Sequence, residues 1–224
     1  MWRDALLVGA KDLRVEARSR VATNQVAPFA VLVLVLFAFA LDPDRGMLQR
    51  AAAGLFWVAV LFSAVLTVQR SQAVEGADGI GDALRLSGLD PAGIFLGKAG
   101  ALAVELFALE LVLGAGVIVL YGVDPAGYPT LVATAAAATL ALAAAGTIYG
   151  ALASGSRVQE TLLPLLLLPA VAPVLIAATR AWEAALGTAV AVTAAADWVS
   201  LLGVLAVVYV AFGVAAFGPL MEER

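Results

Sequence analysis

Histidine and cysteine are both absent from this chain, and each absence removes a group of chemistries. Without Cys there are no disulfides, no thiolate metal sites and no thiol nucleophile. Without His, the commonest metal and haem ligand and the usual general base are missing. A Ser-His-Asp arrangement is thereby excluded, and no zincin motif is present. Ser/Lys catalysis stays formally open, but Lys11 and Lys98 both fall at expected membrane edges. Charge is scarce as well: 13% of residues are charged, and a net charge of -4 gives no basic stripe for nucleic acid. The first 20 residues are charged and amphipathic, so no cleavable signal peptide is expected.

What fills the chain is hydrocarbon. Of 224 residues, 63% are hydrophobic, with a mean hydropathy of +1.00. A soluble domain cannot hide that much apolar surface, so lipid must be the solvent for most of it. Crossing a hydrocarbon core of about 30 Å takes about 20 apolar residues. Six segments qualify, near residues 21–41, 51–68, 99–120, 130–153, 161–179 and 199–220. The predicted fold is all-α: a polytopic membrane protein with six transmembrane helices, forming a single transmembrane domain over residues 1–224. Little is left over for a soluble domain.

Residues 1–20 read as an interfacial helix. Trp2, Leu6, Gly9, Ala10, Leu13 and Ala17 share one face, and Arg3, Lys11, Arg14 and Arg18 form a basic rim suited to anionic headgroups. Residues 69–98 are the long polar interruption, starting at Arg70 and ending at Lys98. Within them Ile80, Ala83 and Leu84 fall on one helical face, with Asp78, Asp82 and Arg85 elsewhere. A helix this short cannot span, so it is expected to be touched by something soluble; the bland alternative is a solvated connector. With the N-terminus inside, ten of the 13 basic residues fall in inner segments. The positive-inside rule therefore places both termini and residues 69–98 in the cytoplasm.

Individual residues narrow the chemistry further. Glu105 and Glu110 lie in the third span, where a carboxyl is costly and counts as a functional hypothesis by default. A spacing of five sets them about 140° apart on a helix, which disfavours one paired acid site. A hydrogen bond to a neighbouring helix is the structural alternative. Gly146 and Gly150 have the spacing that lets helices approach closely. In the fifth span Pro164 is expected at a first-turn position, whereas Pro169 and Pro173 each deprive a carbonyl four residues earlier of its donor. Lipid cannot satisfy those carbonyls, so this half of the span should face protein or water, or break. Trp182 and Trp198 are expected as interface anchors. Gly93-Ile-Phe-Leu-Gly97-Lys98-Ala99 fails as a phosphate loop, since only three residues separate the glycines where four are needed and no Ser or Thr follows the Lys.

The order of these features resembles the ABC-2 type transporter permeases, and within them the cytochrome c maturation protein B (CcmB, haem exporter protein B) family. The matching stretches are residues 11–20 (KDLRVEARSR), 31–40 (VLVLVLFAFA), 55–63 (LFWVAVLFS) and 160–174 (ETLLPLLLLPAVAPV). The resemblance implies a membrane subunit that pairs with a cytoplasmic ATPase, CcmA. It also implies work with the membrane proteins CcmC and CcmD and release of the haem-loaded chaperone CcmE. Residues 69–98 would then be the coupling loop, with Glu75, Asp78, Asp82, Arg85 and Asp90 nearest the ATPase. The loop has fewer charges and more glycine than the family pattern (Gly76, Gly79, Gly81), which leaves single contacts open. No cofactor is expected on this chain: ATP belongs to the ATPase and haem to the partners, because Met1, Met47 and Met221 all lie near membrane edges or termini. A second permease copy or partner is also implied. Two rivals stand beside this reading, an ABC-2 exporter of a lipid or other small molecule and an ion-coupled secondary transporter using Glu105 and Glu110.

Overall fold

A computed structural model describes residues 1–20, 22–41, 45–77, 84, 86–154, 158–188 and 195–222. Among the described residues there are seven α-helices and no strand: α1 (Trp2–Ser19), α2 (Ala27–Leu41), α3 (Arg45–Ala77), α4 (Pro91–Tyr121), α5 (Tyr128–Ala153), α6 (Gln159–Ala185) and α7 (Ala195–Glu222). A π-helical turn, Ala22–Val26, leads into α2. Six of the helices are long and apolar enough to cross a membrane. They alternate in direction, so that α1, the end of α3, the start of α4 and the end of α7 meet at one end of the bundle.

The helices run past the apolar segments that announce them. Hydropathy marks the stretch that needs lipid, whereas backbone hydrogen bonding continues a helix into water wherever nothing stops it. Thus α3 carries Gln69, Arg70, Ser71 and Gln72 on to Ala77, and α4 begins at Pro91. The start of α4 is fixed chemically: Asp90 caps it by accepting from the Ala92 N–H at 3.0 Å, and proline occupies the first turn, where a missing N–H costs nothing. At its other end Gly122 adopts the left-handed conformation (φ 64°) that closes a helix, and its carbonyl accepts from Gln49 Nε2 at 2.9 Å.

The alanine-rich α5 is the hub, touching α3, α4, α6 and α7. Small side chains make this possible. Gly146 and Gly150 face α3, where an added Cβ would stand 2.7 Å from Val68 and 2.9 Å from Gln72. The principal core gathers Phe56, Trp57, Leu106, Leu113, Leu142, Leu163, Leu167 and Leu202. A second cluster at the α1 end joins Val8, Ile94, Phe95, Ile148 and Phe217.

Two expectations are corrected here. Trp182 is no interface anchor: α6 continues to Ala185, which leaves Trp182 buried and stacked on Phe56 at 3.9 Å, with Trp57 edge-on at 5.6 Å. Pro164 is not in the first turn, because α6 starts five residues earlier at Gln159. Pro169 and Pro173, expected at a bend, at a break or on a side facing protein or water, lie inside one continuous helix. The inner stripe is taken by Leu163, Leu167, Val171, Val174 and Ala178, so Leu165, Pro169, Pro173 and Ile176 point outward. Beside them, the Tyr209 hydroxyl of α7 donates to the Ala170 carbonyl at 2.5 Å.

Candidate functional site

The α1 end of the bundle collects most of the polar side chains, and close glycine packing assembles it. Along Pro91–Lys98, Gly93 and Gly97 lie one turn apart on the face of α4 that meets α1. A Cβ on Gly97 would stand 2.6 Å from the Ala5 carbonyl oxygen and 2.8 Å from Val8 Cβ. One on Gly93 would stand 2.7 Å from the Met1 carbonyl oxygen, and Gly9 presses its own bare Cα onto the Gly97 carbonyl. The glycines that fail as a phosphate loop are therefore a helix-packing pair.

Polar contacts fasten the same joint. Asp4 Oδ2 accepts from the Asp90 N–H at 3.3 Å and from the Met1 amino group at 3.1 Å, and that amino group also lies 3.3 Å from Asp90 Oδ2. The hydrogen bond from the amino group, then that from the Asp90 amide, hold the Asp4 carboxyl below its ordinary range. The amino group in turn is raised, chiefly by its hydrogen bond to Asp4. Of the amphipathic face predicted for α1 only Gly9 is buried; the other buried positions, Ala5 and Val8, lie beside that face, while Trp2 and Leu6 stay 71% and 75% exposed, as an interfacial helix keeps its lipid-facing side.

Beyond the joint, α1, α3 and α4 enclose a cleft of about 100 Å³. Lys11, Arg70 and Lys98 line it opposite Asp12, Glu16 and Glu105, and Lys11 pairs with Asp12 at 2.7 Å. Balanced charge of this kind suits water and headgroups rather than acyl chains. Lys98, expected at a membrane edge, is only 9% exposed and lies in this wall. Glu110 is elsewhere: it faces α5, where the Thr139 hydroxyl donates to its Oε1 at 2.7 Å.

Of the residues expected to meet an ATPase, Asp90 is the α4 cap, with its side chain 40% exposed. Glu75 lies in the last turns of α3, and Asp78, Asp82 and Arg85 lie outside the described residues. The sequence gives no role to Asp4 or Thr139 and offers Gly93 and Gly97 only as a failed phosphate loop, and a Thr within an alanine run carries no signal of its own. Asp90→Ala should fray the first turn of α4 at a cost of about 1 kcal/mol. Faster hydrogen exchange at the Ala92 and Gly93 amides would register it, and unchanged exchange would contradict it.

Six apolar helices packed about an alanine-rich member of the set, with a polar joint at one end, define an integral membrane protein. Residues 3–221 match the family model described as CcmB protein. Similar curated proteins include Heme exporter protein B of Paracoccus denitrificans (strain Pd 1222), 34% identical over 77% of this chain and 78% of that one. Heme exporter protein B of Haemophilus influenzae is 32% identical, covering 78% and 79%. That of Pseudomonas aeruginosa is 30% identical over 94% of both chains. The chain belongs to the CcmB protein family.

Proposed function

We propose that this chain is the membrane permease subunit of an ABC-type system that exports haem for c-type cytochrome biogenesis. The observation that carries the proposal is the family match over residues 3–221, supported by relatives named Heme exporter protein B at 30% to 34% identity. The chain itself is non-catalytic. A separate cytoplasmic ATPase, CcmA, hydrolyses ATP, and the stroke is passed to the membrane partners CcmC and CcmD to release haem-loaded CcmE. Haem stays on those partners, since this chain offers neither His nor Cys as a ligand. A second permease copy completes the unit. By the positive-inside rule, the excess of Lys and Arg in the inner segments supports a bacterial inner-membrane protein with both termini and residues 69–98 cytoplasmic.

The geometry supports a route for the stroke. The ATPase meets Glu75, Asp78, Asp82, Arg85 and Asp90 between α3 and α4. A push there enters α4 at its capped first turn. Because α1 is locked onto Gly93 and Gly97 backbone to backbone, α1 and the start of α4 move as one body, and interiors packed this closely transmit displacement. The cleft containing Lys98 and Glu105 lies where that body meets α3, so it changes shape with each stroke.

Reversing both charges, Asp78→Lys with Asp82→Lys, is the direct test. Co-purification of CcmA in mild detergent should fall roughly tenfold, the equivalent of about 1.4 kcal/mol of contact energy. The yield of c-type cytochrome should fall with it, while membrane insertion holds. Unaltered capture and unaltered yield would remove the coupling role from this segment.

A further inference from the structure

Further along α4, beyond the joint, α4 and α5 leave a groove open to the membrane. Two cavities form it, of about 500 Å³ and 290 Å³, and both are lined by Phe107 and Leu111. From Val104 to Ile118 the groove runs about 21 Å along α4 at 1.5 Å per residue. Its rim is apolar and exposed: Val104, Leu111 and Val132 keep 55%, 62% and 57% of their surfaces. Its floor carries small residues, among them Ala103, Ala108 and Ala136.

Glu110 and Thr139 sit where the two cavities join. The Glu110 side chain is 96% withdrawn from solvent, being 4% exposed, and lines the outer cavity. Thr139 engages one carboxyl oxygen; Oε2 has no hydrogen-bond partner among the described residues. A buried polar atom left unpaired among hydrocarbon is costly, and native proteins keep few of them. Glu110 also lies about 16 Å along the helix from Tyr121 at one end of α4, which sets it near mid-bilayer.

We propose that this groove seats a transmembrane helix of a different membrane protein, and that the helix places a hydroxyl or carboxamide against Glu110 Oε2. Acyl chains fit the apolar walls but bring no polar group to the bilayer centre. A helix brings both, and small residues on the groove floor admit its backbone. Hydroxyls and carboxamides donate and accept, so they satisfy the carboxyl in either protonation state. A second copy of this chain does not supply such a group. In the middle turns of α2 and α7 its exposed residues are apolar, among them Leu32, Leu36, Val204, Val207 and Val208, while its exposed polar side chains Asn24, Gln25 and Ser200 lie at the ends of those spans, away from the depth of Glu110. The inference stands whether or not haem is the cargo.

Photo-crosslinking in native membranes that hold the assembled complex tests it. A benzophenone amino acid goes at Leu111 or Val132, with Val207 on α7 as the site outside the groove. The two groove positions should give an adduct mapping to one transmembrane segment of another protein, with Ser, Thr, Asn or Gln in its middle turns; Val207 should not. Glu110→Leu should lower that adduct about fivefold, the size expected for one interhelical hydrogen bond, whereas Glu110→Gln should preserve it. Replacing the partner's polar residue by Ala, with this chain intact, should reproduce the loss even if Glu110→Leu fails to accumulate. Adducts to lipid alone, to a second copy alone, or to a segment without a polar residue would overturn the proposal, as would a yield indifferent to both substitutions.

Discussion

Gly97→Ala will pry α1 from α4 and stop the protein working while leaving its six spans in place. The new Cβ would lie 2.6 Å from the Ala5 carbonyl oxygen, 2.8 Å from Val8 Cβ and 3.0 Å from the Gly9 nitrogen. Two of those three atoms are backbone, so no rotamer change relieves the contact and the helix itself must back away. Overpacking of this kind costs about 1–3 kcal/mol. Spread over the docked and undocked positions of α1, that is a shift of roughly five- to a hundredfold. Because the chain has no native cysteine, one placed at Val8, which is 2% exposed, reports docking cleanly. Labelling by a membrane-impermeant maleimide should accelerate at least about fivefold in the Gly97→Ala background, and c-type cytochrome yield should drop. Gly100→Ala is the control, since nothing lies within 4 Å of its added Cβ. Equal labelling in the two backgrounds would mean that α1 is not held by this joint.

The joint also shows where sequence reasoning stops. Six apolar runs of membrane length are a one-dimensional property, and their number and order carry over to the structure without change. Helix ends are less legible, because Gln69 to Gln72 look like a loop to a hydropathy scale and like two more turns of α3 to the backbone. Facing is harder still. Trp182 has the composition of an anchor, but its neighbours are Phe56 and Trp57, more than 120 residues earlier in the chain. The sequence asks that Pro169 and Pro173 face protein or water or break the span, and which side of α6 packs is decided by Leu163, Leu167, Val171 and Val174, which claim its inside. Gly93 and Gly97 are the clearest case: three residues between glycines has meaning only once a partner helix is known to lie across them. The acids divide similarly, since Glu105 faces the α1 cleft and Glu110 faces Thr139, a separation that their helical angle suggests but whose partners it does not name.

The same reasoning predicts that Gly213→Ala will be unusually damaging for so small a change, and that the damage will vanish when Phe95 is already absent. A Cβ at 213 on α7 would fall within the ring of Phe95, closer than any real contact allows. Phe95 is wholly buried, Ile94 is 1% exposed beside it, and Phe217 closes the other side with ring centroids 5.6 Å apart. The ring therefore has nowhere to go, and α7 must separate from the first turns of α4. Gly213→Ala should cost about 1–3 kcal/mol and Phe95→Ala about 3–5 kcal/mol. Independent sites would add. Here the double variant should be no less stable than Phe95→Ala alone, because the new methyl enters the space the ring has left. Gly203→Ala, on the same helix with open space around it, should be neutral or stabilising by up to about 1 kcal/mol, since Ala is the better helix former. Denaturant titration in detergent micelles measures all four, and additive losses would show that α7 and α4 do not meet at this ring. Phe95 lies in the second turn of α4, one turn beyond the cap that receives the proposed ATPase stroke. A loosened contact there lets α4 yield against α7 when it is pushed, so cytochrome yield should follow the stability of this one pair and not that of the bundle as a whole.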